Sequence, residues 1–132
     1  IARVQPDLIQ AGPIQTAALL VALTGFQPLV SMSWGSDLLK DADRNTWQRW
    51  ATSYVLRRSA VMVGDCDPVR QKARRFGLPD ERIVTFPWGV DLEHFQPGRE
   101  PGPTLNEDRF TFLSTRSWEP VYGVDVIARA FV

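Results

Sequence analysis

The sequence has little that could support redox or metal chemistry. Its 132 residues include one cysteine, Cys66, and one histidine, His94. A lone thiol cannot form an internal disulfide, which suits a reducing, cytoplasmic compartment. With no second cysteine or histidine to complete a zinc set, no metal site is expected. An excess of charge is missing too, since 15 Lys+Arg balance 15 Asp+Glu. Net charge therefore gives no support to a nucleic-acid partner, and none is expected. The longest apolar run, residues 17–23, falls far short of the roughly 20 residues that span a bilayer. No basic stretch followed by an apolar one opens the chain. It begins at Ile1 and stops at Val132 inside an apolar pattern, and so reads as a piece of something longer.

What is present is globular. Hydrophobic residues make up 44% and charged residues 23% of the chain, a composition that buries a core rather than staying disordered. At roughly 150 residues per domain the length allows one ordinary domain and excludes a second full one. Short strands are expected over residues 8–10, 28–32, 60–63 and 83–86. Between them, Gly12-Pro13 introduces a helix over 14–23, apolar on nearly all sides and so expected to be buried. Residues 33–41 read as a polar loop. Trp47, Trp50, Ala51, Tyr54 and Val55 fall on one face of a helix over 43–58. Asp67-Pro68 opens another helix, which runs to Arg75 and stops at Gly77. Strands alternating with helices of this length imply right-handed crossovers, hence an α/β class with a parallel, Rossmann-like sheet and helices on both faces.

Residues 97–103 hold three prolines and two glycines, a composition that supports neither helix nor strand and marks a linker. Beyond it a strand over 110–113 and a helix from Val124 look like the opening of a second α/β unit. The expected organisation is a partial first domain over 1–96, a linker over 97–108, and the first strand and helix of a second domain over 109–132.

Ligands of open parallel sheets sit beyond the carboxyl ends of the strands. Trp34, Gly35, Ser36 and Asp37 fall there, directly after the second strand. Gly35 lets a ligand approach the backbone, the Trp34 indole offers a platform for a sugar ring, and the Asp37 carboxylate can accept from hydroxyls. The same stretch also reads as an ordinary strand-to-helix turn with a packed Trp. Asp65-Cys66-Asp67 and Asp41-Ala42-Asp43 have the spacing that holds a divalent metal on a diphosphate, but both immediately precede helices, where Asp caps, and capping is the stronger reading. Arg116 precedes the helix that begins near Gly123, and an arginine fork beside free backbone N–H groups suits an anion. Arg70, Lys72, Arg74 and Arg75 share one helix, and Arg57-Arg58 end the one before. That cluster reads as a solvated basic face, with contact to anionic lipid headgroups as its alternative.

The run from Arg82 through Phe86-Pro87-Trp88-Gly89-Val90-Asp91 to Phe95-Gln96-Pro97 resembles the close of the N-terminal domain in family 4 glycosyltransferases, retaining enzymes of the GT-B fold. Ser114-Thr115-Arg116 and Gly123-Val124-Asp125, followed by Ala130-Phe131, are similar to the opening of that family's C-terminal domain. The resemblance implies transfer of a sugar from a nucleotide-diphosphate donor to an acceptor, with no metal or other cofactor. It makes Arg116 and Gly123 the donor-diphosphate residues, and it places Gly12, Pro13, Trp34, Gly35 and Asp37 on the acceptor side of the cleft. The catalytic residue itself is not assigned. Two positions depart from the pattern, Trp34 where a His is frequent before Gly and Tyr122 where a Lys is usual. The family's later Glu and glycine-rich nucleotide loop would fall past Val132, so the chain alone is expected to be inactive. The alternatives are a metal-dependent Asp-x-Asp transferase and a non-catalytic GT-B-like module. Self-association through 109–132 is also expected, from the apolar segments there.

Overall fold

A computed structural model of the chain describes residues 3–96 and 113–131. They fall into two compact units, 1–90 and 91–132. The division comes a few residues ahead of the expected boundary at 96. The expected linker over 97–108, and all but the last residue of the expected strand over 110–113, lie outside the described residues.

The first unit is α/β. Four strands, β1 (Ile9–Ala11), β2 (Leu29–Met32), β3 (Val61–Gly64) and β4 (Ile83–Thr85), form one parallel sheet in the order β1-β2-β3-β4. All four expected strands are present, with ends shifted by a residue or so. After β1, a π-helical turn over Ile14–Ala18 continues into α1 (Leu19–Thr24), which Gly25 ends. The expected polar loop after β2 instead contains a short helix, α2 (Ser36–Leu39), and a 3₁₀ turn over Asp41–Asp43. Helix α3 (Thr46–Arg58) begins later than expected because Asn45, not Asp43, caps it: the Asn45 Oδ1 accepts from the Gln48 N–H at 2.8 Å. Helix α4 (Asp67–Arg75) connects β3 to β4.

Register shows which sheet face meets the helices. Leu29, Ser31, Met62 and Ile83 lie on one side and are buried, whereas Val30, Met32, Val61 and Val63 on the other are half-buried and Val84 is exposed. A sequential strand order with right-handed crossovers sends every connection to the same face, so the expected cover on both faces reduces, in this unit, to a helical layer on one. The core under that layer combines Ile14, Ala18, Ala22, Leu38, Ala51, Val55, Leu56, Val69 and Ala73 with the inner sheet residues. Its buried hydroxyls are satisfied: the Ser59 Oγ donates to Ser31 Oγ, with the Val55 carbonyl also at 2.8 Å.

Two burial expectations fail. The α1 segment is two-faced rather than buried all round: Leu19 and Ala22 face inward, while Leu20 is 67% exposed. On α3 the buried stripe is Ala51, Thr52, Val55 and Leu56, and Trp47 and Trp50 lie outside it. Small residues let α3 approach the π-helical turn and α1 closely, which leaves no room for indoles between them.

In the second unit a 3₁₀ turn over Pro120–Tyr122 leads through Gly123 into α5 (Val124–Arg129), shorter than the expected helix to Val132. Val124 is buried, but Leu113, Trp118, Val126 and Phe131 are exposed.

Candidate functional site

In a parallel sheet all carboxyl ends share one edge. The loops after β1, β2, β3 and β4 therefore gather there, about 4.8 Å apart from strand to strand.

Three of these loops carry the candidates. Those after β1 and β2 are joined by Asp37, which is only 5% exposed. Its Oδ2 accepts from the Ile14 N–H at 2.9 Å, and its Oδ1 accepts from the Ser33 hydroxyl at 2.8 Å and the Trp34 N–H at 3.0 Å. The Gln15 amide donates to the Asp37 carbonyl at 2.8 Å and to Thr52 Oγ1 at 2.7 Å, tying the junction to α3. Gly12 lies so close to β2 that a Cβ there would stand 2.3 Å from the Met32 carbonyl oxygen and 3.1 Å from Trp34 Nε1. Gly35 has φ +92°, a left-handed conformation that leaves α2 starting just behind the turn.

The five acceptor-side candidates Gly12, Pro13, Trp34, Gly35 and Asp37 are thus neighbours, but their roles divide. Asp37 has both oxygens engaged inside the protein, so it organises the corner instead of offering a carboxylate to a ligand. Trp34, expected as a packed residue in the turn reading, is 61% exposed. At the end of β4, Phe86 and Trp88 meet edge to face with ring centroids 6.0 Å apart, and both remain about half exposed. Sequence spacing gave no signal for Phe86 as a surface residue, because it reads there as the last residue of a buried strand. Trp34 and the Phe86–Trp88 pair follow strands two positions apart, about 10 Å across the edge.

Between them sits Asp65-Cys66-Asp67. The helix-capping reading of these carboxylates is corrected: the cap position of α4 is Cys66, no first-turn N–H bonds the carboxylate of Asp65 or Asp67, and Asp67 accepts from Gln71 of its own helix. The Val69 N–H pulls the Cys66 thiol down in pKa, but burial and the carboxylates of Asp65 and Asp67 outweigh it and leave the value raised. A thiol held protonated is a poor nucleophile. Among the described residues, no three His, Cys, Asp or Glu side chains converge as a metal site would require.

The basic face of α4 is largely paired within the protein. Arg70 bonds Asp80 and donates to the Ile83 carbonyl and Thr85 Oγ1, both at 3.1 Å, while Lys72 bonds Asp43 and Arg74 approaches Asp80 at 3.7 Å. Asp80 is held below the usual carboxylate range chiefly by its hydrogen bond to Arg70, and Asp43 chiefly by its bond to Lys72.

In the second unit the Arg116 guanidinium lies over the Tyr122 ring, 5.2 Å from its centroid. Among the described residues no carboxylate pairs with it. Leu113, Thr115, Trp118, Ile127 and Phe131 join it in lining a groove of about 840 Å³. Helix α5 has six residues, too few for its dipole to add much to an anion site beside Gly123.

The chain matches no protein-family profile, no curated protein and no solved structure.

Proposed function

We propose that the chain contributes the acceptor-side sheet and the opening of the donor side of a retaining glycosyltransferase that uses a nucleotide-diphosphate sugar. The observation that carries the reading is the position of the family-like run. Phe86-Pro87-Trp88-Gly89-Val90-Asp91 leaves the carboxyl end of β4, on the edge where the β1 and β2 loops are pinned together by Asp37. Open parallel sheets bind ligands at that edge, and three exposed rings there, Trp34, Phe86 and Trp88, offer apolar surfaces for sugar rings or an apolar acceptor.

On the donor side, Arg116 takes the diphosphate. As the sugar departs, negative charge grows on the leaving diphosphate, and a fixed guanidinium fork stabilises it through two parallel N–H···O bonds. Tyr122, which stands where the resembling family has a lysine, supports the guanidinium from beneath by a cation–π contact. One phosphate charge is thereby exchanged for better orientation of another. The Asp-x-Asp reading has less support, since Asp67 is engaged by Gln71 within α4.

Calorimetric titration with uridine and guanosine diphosphates tests the assignment. Arg116→Ala abolishes binding, and Arg116→Lys weakens it about tenfold because an ammonium reproduces neither the fork nor the stacking. Equal affinity in the wild type and both variants would remove Arg116 from the donor site.

A further inference from the structure

The run Arg116-Ser117-Trp118-Glu119 sets a cation, an indole and a carboxylate within four residues. Such a run can satisfy itself, the arginine pairing with the carboxylate or stacking on the indole. Here neither happens. The Arg116 guanidinium lies over the Tyr122 ring instead. Among the described residues no ring or cation stacks on Trp118, which is 76% exposed, and the Glu119 carboxylate has no hydrogen bond or ion pair.

Trp118 borders two hollows of the second unit. One is the groove of about 840 Å³ that it shares with Arg116. The other is a smaller pocket of about 160 Å³, which it lines together with Glu119, Pro120 and Asp125. Asp125 pairs with Arg129 at 3.2 Å, so Glu119 is the free carboxylate of that pocket. A flat group lying along the indole is reached by Arg116 from the groove and by Glu119 from the pocket. The chain between these two residues spans at most about 11 Å.

We infer that the nucleoside of the donor is guanosine, with its base stacked on Trp118 and its N1–H and 2-amino group donating to Glu119. The inference rests on the donor-site reading of Arg116, which holds the diphosphate, and adds the base to it. A carboxylate only accepts, so its two oxygens select a base edge with two adjacent N–H donors. Guanine has that edge. Uracil offers a single N–H between two carbonyl oxygens that the carboxylate repels, and in adenine and cytosine a ring-nitrogen acceptor adjoins the amino group. A uridine nucleotide is therefore held by its phosphates alone and leaves the indole uncovered. The purine also brings the larger surface to the stack.

Calorimetric titration of the whole chain with guanosine, inosine and uridine diphosphates tests this. Guanosine diphosphate binds roughly a hundredfold more tightly than uridine diphosphate, through stacking and the charged hydrogen-bond pair together. Inosine diphosphate, which lacks the 2-amino group, falls about tenfold short of guanosine diphosphate. Trp118 and Glu119 are both exposed, so their substitution leaves the fold in place. Glu119→Gln and Trp118→Ala each weaken guanosine diphosphate about tenfold, and neither alters the affinity for uridine diphosphate. Equal affinity for the guanosine and uridine nucleotides, or a guanosine preference undiminished by either substitution, overturns this inference alone, provided that Arg116→Ala still abolishes binding. No binding of any of the three diphosphates overturns the donor-site reading and this inference with it.

Discussion

At one corner of the sheet edge the polar groups turn inward, and at the other the rings turn outward. Where the β1 and β2 loops meet, Asp37 accepts three hydrogen bonds within the protein and Gly12 abuts the β2 backbone. At the exit of β4, Phe86 and Trp88 touch each other and solvent. The difference teaches how such an edge is divided. A buried carboxylate and a close glycine hold the β1 and β2 loops at fixed positions, and the surface a ligand would meet carries exposed aromatic side chains.

That division can be broken from the inward side first. Asp37→Ala strands the Ile14 and Trp34 N–H groups and the Ser33 hydroxyl, so unfolding stability falls by about 3 kcal/mol. Chemical denaturation measures this, and a loss under a fifth of that size would make the corner a bystander. Gly12→Ala is next, at about 2 kcal/mol, since the obstacle at 2.3 Å is the backbone oxygen of Met32 rather than a side chain that can move. Gln15→Ala removes the link from Asp37 to Thr52 and costs about 1 kcal/mol.

From the outward side the expected effects are small. Trp34→Ala and Trp88→Ala each change stability by no more than about 0.5 kcal/mol, and any loss appears in ligand binding. A large destabilisation by either would place that ring in the core. Acid titration gives the smallest signal. The folded pKa values of Asp43 and Asp80 lie below the unfolded ones, so their ion pairs contribute fully above the ordinary carboxylate range, and the contribution is lost as pH falls through the lowered folded values. Asp43→Asn together with Asp80→Asn flattens the stability–pH curve in that acidic window and leaves its neutral side unaltered in slope.

Strand positions were legible because each β segment is a short β-branched or apolar run beside Gly, Pro or Asp, and the parallel class followed from the helices between them. The facing of α3 was not. Trp47, Trp50 and Tyr54 satisfy the helical period as well as the buried Ala51, Val55 and Leu56 do, and only the close approach of α1 decides which stripe goes inside. The inward role of Asp37 was hidden for a similar reason: its donors, Ile14 and Ser33, are backbone and hydroxyl groups with no distinctive signature, one of them 23 residues away. The acidic doublets misled because a carboxylate before a helix looks like a cap, yet Asn45 caps α3 and Asp67 bonds Gln71.

The central claim is that a diphosphate is recognised by Arg116 and its neighbours without a metal. Amide and guanidinium NMR shifts of the chain during titration with uridine diphosphate, with a chelator present, test it most directly. The account predicts saturable shifts confined to Ser114, Thr115, Arg116 and Gly123, including the Arg116 Nε–H. Shifts that require manganese and centre on Asp65 and Asp67, or no saturable shifts at all, would contradict it.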